Sequence, residues 1–315
     1  MDIPPQETEE LRRLGVVMTS TWMKMGKLAF SIVDVFAEEK YAGNQLAVVR
    51  YGKDLADVEM QKIARETNYS ETTFIMTDKK HDEGYDVRIF TPKEEVPFAG
   101  HPTLGTAYVI RQEIIRKPAN KVLLNLKVGQ IPVTFGRDEI LWMRQKEPTF
   151  GRRFEADEIS RILGIETEAI DDRFPIETVS TGLPFIIVPL RKLETVKKCS
   201  VVKDRYFELI KDTEAKSILV FNPETYNAEN NLNVRVFVDY FGIPEDPATG
   251  SANGCLAAYL VKHRYFEREQ LNVRVEQGYE VGRPSLLYLK AGIAGGTINV
   301  SVGGKVIPII KGKFL

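Results

Sequence analysis

From residue 28 onward, the apolar and polar positions alternate between strand-like and helix-like spacing. Phe30, Ile32, Val33 and Val35 read as a strand, and Gly43-Asn44 breaks the pattern before a second apolar run over 46–49. Residues 55–66 carry Leu55, Val58, Met60, Ile63 and Ala64 at helical spacing, with Asp54 placed to cap the helix. Short strands are predicted over 71–76 and 85–90, and the charged run 79–83 between them reads as a solvated hairpin loop. An apolar helix over 102–111 then begins just after Gly100.

The second half follows the same grammar. Strands are expected at 122–126, 131–135 and 140–144, and the stretch 145–153, with Pro148 and Gly151, is a candidate domain boundary. Next come a helix at 157–163, strands at 176–180 and 185–189, a helix at 202–210 and a strand at 217–221. The Asn-rich segment 222–231 reads as a loop and 234–240 as a strand. An apolar helix over 252–262 begins just after Gly250, and 272–310 reads as hairpin strands separated by glycines. Residues 1–27 look like an extension outside the main fold, with a short polar helix over 6–14.

The halves repeat each other. Val87-Arg88-Ile89-Phe90 resembles Val234-Arg235-Val236-Phe237 at an offset of 235 − 88 = 147. Gly100-His101 matches Gly250-Ser251 at 251 − 101 = 150, and each pair opens an apolar helix containing Ala-Tyr. Two similar α+β halves of this kind would bring both helix starts to one cleft.

Composition narrows the function. With 43 basic and 44 acidic residues, net charge −1, nothing draws the chain to nucleic acid or to an anionic membrane surface. Cys199 and Cys255 form neither a disulfide framework nor a CxxC metal spacing, and His81, His101 and His263 are scattered. No apolar run reaches membrane-spanning length, and the first residues lack an apolar signal core, so the expected location is the cytoplasm.

Three stretches carry candidate chemistry. In Asn68-Tyr69-Ser70-Glu71-Thr72-Thr73-Phe74, strand alternation puts Glu71, Thr73 and Ile75 on one face. Glu71 is then either an exposed glutamate at a strand start or a half-buried carboxylate whose pKa rises toward the range of proton transfer. In Pro97-Phe98-Ala99-Gly100-His101-Pro102-Thr103, free amides at the helix start attract anions, and His101 is either structural or a proton shuttle. Glu245-Asp246-Pro247-Ala248-Thr249-Gly250-Ser251-Ala252 is either a capped helix after a polar turn or a loop that lets a ligand reach the backbone. It lacks the lysine of a nucleotide-binding loop.

Taken in order with Val33-Asp34-Val35-Phe36, Gly43-Asn44 and Arg88-Ile89-Phe90-Thr91-Pro92, these stretches resemble the phenazine-biosynthesis (PhzF-like) family from about residue 30 to the C-terminus. The resemblance implies an α+β fold of the diaminopimelate-epimerase type: two similar domains, each a curved sheet wrapped around a central helix, with the active site between them. The domains would be residues 28–145 and 151–315, the C-terminal strand able to cross back to the first. It implies a catalytic glutamate at Glu71, supported by His101, Asp246 and Ser251, with Asn44, Gly100 and Gly250 binding substrate. It further implies a homodimer that uses no metal, flavin or pyridoxal phosphate and isomerises a small unsaturated carboxylate, such as a dihydro-hydroxyanthranilate-like compound, by moving a proton. Two alternatives stand beside this: a two-thiol epimerase or racemase of the same fold, and a binding or regulatory homologue without turnover. The thiol alternative is poorly supplied, because His101 and Ser251 hold the helix starts and Cys255 lies deeper along its helix.

Overall fold

The computed structural model describes residues 28–314; the extension and its expected polar helix lie outside them. The chain runs β1 (Ala29–Val35), β2 (Asn44–Arg50), α1 (Asp57–Thr67), β3 (Glu71–Ile75), β4 (Tyr85–Phe90), β5 (Glu95–Val96) and α2 (Gly100–Val109). It continues with β6 (Lys121–Leu126), β7 (Gly129–Phe135), β8 (Leu141–Arg144), β9 (Thr149–Phe154), α3 (Ala156–Leu163), β10 (Ile176–Ser180) and β11 (Pro184–Pro189). Then come α4 (Leu193–Lys198), α5 (Lys203–Lys211), β12 (Ser217–Asn222), β13 (Leu232–Phe237), α6 (Gly250–Lys262), β14 (Gln270–Gln277), β15 (Ser285–Ala294), β16 (Thr297–Gly304) and β17 (Val306–Lys313).

The pairing reveals the internal repeat. Two sets of eight strands, β17-β1-β2-β3-β4-β6-β7-β8 and β9-β10-β11-β12-β13-β14-β15-β16, show one order of pairing senses. In each set the order is antiparallel, antiparallel, parallel, antiparallel, parallel, antiparallel, antiparallel. The sets join through antiparallel β8 and β16. β17, which follows the second set in the chain, crosses back to pair with β1 of the first, while β9 opens the second set from within the stretch expected as a boundary.

The helices separate by the same logic. α1 is amphipathic, with Met60, Ile63 and Ala64 buried and the rest toward solvent. Its cap differs from expectation: Asp54 lies in a 3-10 turn over Gly52–Asp54, so the helix starts later, and Glu59 caps it by accepting from the Ala56 amide at 2.7 Å. α2 and α6 are mainly apolar and buried nearly all round, each packed against its own strand set. α2 extends past Val109 into a π-helical turn over Ile110–Ile115.

α2 lies close to its sheet because position 105 is glycine. A Cβ there would come within 2.6 Å of Leu46 Cδ2 and 2.9 Å of Val35 Cγ2. Leu46, Val48, Leu104, Leu256 and Tyr259 belong to one cluster that reaches both helices, each such side chain contributing roughly 1.5–3 kcal/mol on burial. Among the described residues, no helix is long and apolar enough to cross a membrane.

Candidate active site

The two central helices meet end to end. A Cβ on Gly100 would lie 3.5 Å from the Ser251 amide nitrogen and 3.6 Å from Gly250 Cα, and one on Gly250 would lie 3.9 Å from Gly100 Cα. Both helix N-termini, with their free amides and positive dipole ends, therefore open onto one region flanked by His101 and Ser251. The glycines let the backbones approach this closely: a Cβ on Gly250 would also stand 3.2 Å from the Phe36 ring.

Glu71 enters this region from β3. Alternation puts it on the face of Thr73, whose hydroxyl accepts from Thr106 of α2 at 2.8 Å, so the carboxylate is directed to the helix side. Its side chain keeps 18% exposure, yet Oε2 is sealed from solvent and has no hydrogen-bond partner. Burial, reinforced by the nearby charge of Asp246, pushes Glu71 up to about 8. Of the two sequence alternatives for Glu71, the structure has the enclosed carboxylate.

His101 faces it, with Nε2 3.4 Å from Glu71 Oε2. Burial lowers the imidazole to about 3, partly opposed by a hydrogen bond with the main chain of Gln45. The ring is therefore neutral at physiological pH and is not a freely titrating shuttle. Nε2 is bonded to nothing, so the Gln45 bond is assigned to Nδ1, which leaves the lone pair on Nε2 toward Glu71.

Asp246 completes the group from the other half. Its Oδ1 accepts from Asn44 Nδ2 at 2.9 Å, and the same nitrogen donates to the Ala248 carbonyl at 3.0 Å. Thr249 Oγ1 donates to Oδ2. Burial raises Asp246 to about 6, and the Thr249 and Asn44 hydrogen bonds hold it below where burial alone would put it. The structure thus brings Glu71, His101, Asp246, Ser251, Asn44, Gly100 and Gly250 to one junction. Chemically, the group offers an acid-base carboxyl, a neutral imidazole, a second carboxyl held by donors, and amides suited to an anion.

The sequence reading missed several supports. Gln277 contacts the Asp246–Thr249 loop, and Arg283 donates to the Ala42 and Gly43 carbonyls and pairs with Asp34 at 2.7 Å, bracing the turn before Asn44. Neither sits in a local pattern that marks it: Gln277 lies between Glu276 and Gly278, and Arg283 between Gly282 and Pro284.

Neither thiol is hydrogen-bonded to these groups. Cys255 is fully buried, its Sγ turned to Thr181 Oγ1 at 3.6 Å and the Leu183 carbonyl at 3.5 Å. Burial pushes both Cys255 and Cys199 up to about 12, so both are protonated packing groups at neutral pH. Two clefts open elsewhere on the surface: one of about 360 Å³ beside Trp142, Tyr288 and Lys290, the other of about 450 Å³ beside Arg111 and Arg116. Neither cleft is lined by the candidate groups, whereas Glu71 Oε2 and His101 Nε2, buried and unpartnered 3.4 Å apart, lie at the helix junction.

Comparison with known proteins identifies the family. The family model described as phenazine biosynthesis-like protein matches residues 33–312. The chain is 33% identical over 289 residues to trans-2,3-dihydro-3-hydroxyanthranilate isomerase of Pseudomonas aeruginosa, covering 90% of this chain and 98% of that one. An uncharacterized isomerase of Clostridium acetobutylicum is 31% identical over 294 residues, covering 90% and 96%. The crystal structure of a Bacillus anthracis phenazine biosynthesis protein of the PhzF family superposes with TM-score 0.84 at 26% identity, covering 92% of this chain and 99% of the other. A probable proline racemase from Agrobacterium radiobacter, 11% identical with TM-score 0.61, shares the fold. This chain belongs to the phenazine biosynthesis-like (PhzF) family.

Proposed function

We propose that this protein is an isomerase that moves a proton within a small unsaturated carboxylate, of the kind represented by dihydro-hydroxyanthranilate, with Glu71 as general acid and base. The observation that carries this reading is Glu71 Oε2: enclosed, without a hydrogen-bond partner, and set against His101 beside two helix N-termini. The substrate carboxylate rests on the amides at the starts of α2 and α6. Glu71, as carboxylate, takes the proton from a carbon next to the double bond. The C–H electrons shift through the conjugated system, and Glu71 returns the proton at its far end. One C–H bond breaks and one forms, with no net oxidation. Neutral His101 and Ser251 orient the substrate by hydrogen bonding, and Asp246 holds its polar substituent. The protein would act as a cytoplasmic homodimer, the assembly to be checked by light scattering.

The decisive experiment follows uptake of solvent deuterium into trans-2,3-dihydro-3-hydroxyanthranilate, with wild type and Glu71→Gln side by side. Exchange by wild type and none by the variant supports the assignment. Equal exchange by both would remove Glu71 from the mechanism, and none by wild type with this and related unsaturated acids would favour a binding homologue.

A further inference from the structure

We infer that Gln277 is a positioning residue which, through the Thr249 hydroxyl, fixes Asp246 as the ionised partner opposite Glu71. The inference rests on the reading of Glu71 and Asp246 as the working acids. Gln277 is completely buried on β14, and a buried amide must satisfy both of its ends. Its Oε1 accepts from the Thr249 amide at 3.1 Å and from Asn253 Nδ2 at 2.8 Å. Its Nε2 donates to the Asp246 carbonyl at 2.8 Å and to Thr249 Oγ1 at 3.1 Å. The orientation is not free: a main-chain N–H can only donate and a main-chain carbonyl can only accept, so the two ends cannot be exchanged.

The rest follows by counting hydrogens. Thr249 Oγ1 already accepts from Gln277, so its single hydrogen is directed to Asp246 Oδ2. Asn44 Nδ2 is fixed in the same way by the Ala248 carbonyl and gives its other hydrogen to Asp246 Oδ1. Both Asp246 oxygens thus receive hydrogens from donors whose orientation the main chain sets, which matches a carboxylate.

Among the described residues, the groups found against Asp246 include no cation: Asn44 from β2, Glu71 from β3, Thr249 at the start of α6 and Gln277 from β14. The neighbouring Glu245 is engaged by Arg235 at 2.7 Å. The charge is therefore held by dipoles alone, and loosening them would let the proton now on Glu71 pass to Asp246. That would also relieve part of the charge that keeps Glu71 protonated.

The test is a 13C-carboxyl NMR titration of Asp246 and Glu71 in the full chain, which needs no turnover. Thr249→Val and Gln277→Met should each raise the proton affinity of Asp246 about tenfold or more and lower that of Glu71. Thr249→Ser, which keeps the hydroxyl, should titrate like wild type. Gln277→Leu, which also loses the donating end and adds no charge, should still raise Asp246 if Gln277→Met fails to fold. Unmoved Asp246 midpoints in Thr249→Val, or in whichever Gln277 variants fold, would overturn the inference. So would Thr249→Ser behaving like Thr249→Val. A Glu71→Gln protein that still exchanges deuterium would sink the proposed function and leave this titration result standing on its own.

Discussion

Glu71 Oε2 and His101 Nε2 lie 3.4 Å apart, both sealed from solvent, and no hydrogen bond joins them. They are not a resting ion pair: burial keeps the carboxyl protonated and the imidazole unprotonated, so two neutral groups face each other. The protein spends stability to hold a proton donor and a lone pair unspent at this junction, an arrangement suited to proton transfer.

The pH dependence follows from that state. Glu71 must be ionised to take the first proton, so kcat/KM should rise with pH through about 8 and level off above it. Asp246 ionises earlier, near 6, and its charge is one reason Glu71 holds its proton. Asp246→Asn should therefore move the rising limb to lower pH while slowing the reaction. A pH–rate profile of deuterium exchange measures both. A profile that falls above pH 8 would mean Glu71 acts first as an acid.

Glu71→Gln should cost a factor of about 10² to 10⁴ in rate, the usual worth of a positioned acid-base, while leaving ligand binding in place. Its stability should move the other way. The folded protein holds the Glu71 proton more tightly than the unfolded chain, so wild type loses stability as pH rises from about 4.5 to about 8. Glutamine escapes that loss. The variant's advantage should grow across this window to a few kcal/mol, at roughly 1.4 kcal/mol per tenfold change in proton affinity. Urea unfolding at the two ends of the window reads the difference.

How much of this was legible in the sequence depends on whether a residue acts through its neighbours in the chain. Alternation along β3 put Glu71 and Thr73 on one face, and the glycine before each apolar helix marked both helix starts. Thr249 and Asp246, three positions apart, lie in one motif, yet the Gln277 that aligns them comes from β14 with no local pattern to announce it. Pro148 and Gly151 give the stretch 145–153 no strand signal, yet β9 forms within it because pairing with β10 outweighs local propensity. The Asp54 cap failed because a 3-10 turn, invisible to apolar spacing, occupies its place.

Ser251→Ala and Cys255→Ala separate orientation from packing. The serine contributes a hydroxyl and no transferable proton, so its loss should slow exchange less than Glu71→Gln does. Cys255 is held by Thr181 and Leu183 and is protonated, so Cys255→Ala should leave the chemistry intact and cost stability on the order of 1 kcal/mol for the small cavity. A dead Cys255→Ala protein beside a Glu71→Gln protein that still turns over would reverse the assignment in favour of thiol chemistry.

The repeat predicts an unequal pair of mutants at equivalent positions. Arg88 grips Glu95 with two bonds of 2.9 and 2.7 Å, and Arg235 grips Glu245 with two of 3.0 and 2.7 Å. Glu95 stands five residues before Gly100 (100 − 95), and Glu245 five before Gly250 (250 − 245). The surroundings differ. Arg88 also binds Asp57, and Lys127 also binds Glu95, with side-chain exposures of 22% for Arg88 and 14% for Glu95. Arg235 and Glu245 are 10% and 6% exposed, and Arg235 Nη1 is committed to the carbonyls of Val196, Lys197 and Cys199. Removing the carboxylate leaves Arg235 more deeply buried than Arg88, with only Glu280 at 3.9 Å as an acidic neighbour. Glu245→Gln should cost about 2–4 kcal/mol and Glu95→Gln about 1, measured as shifts in the guanidinium midpoint. Equal losses would mean that the two bridges are equally wet and that the burial difference carries no weight.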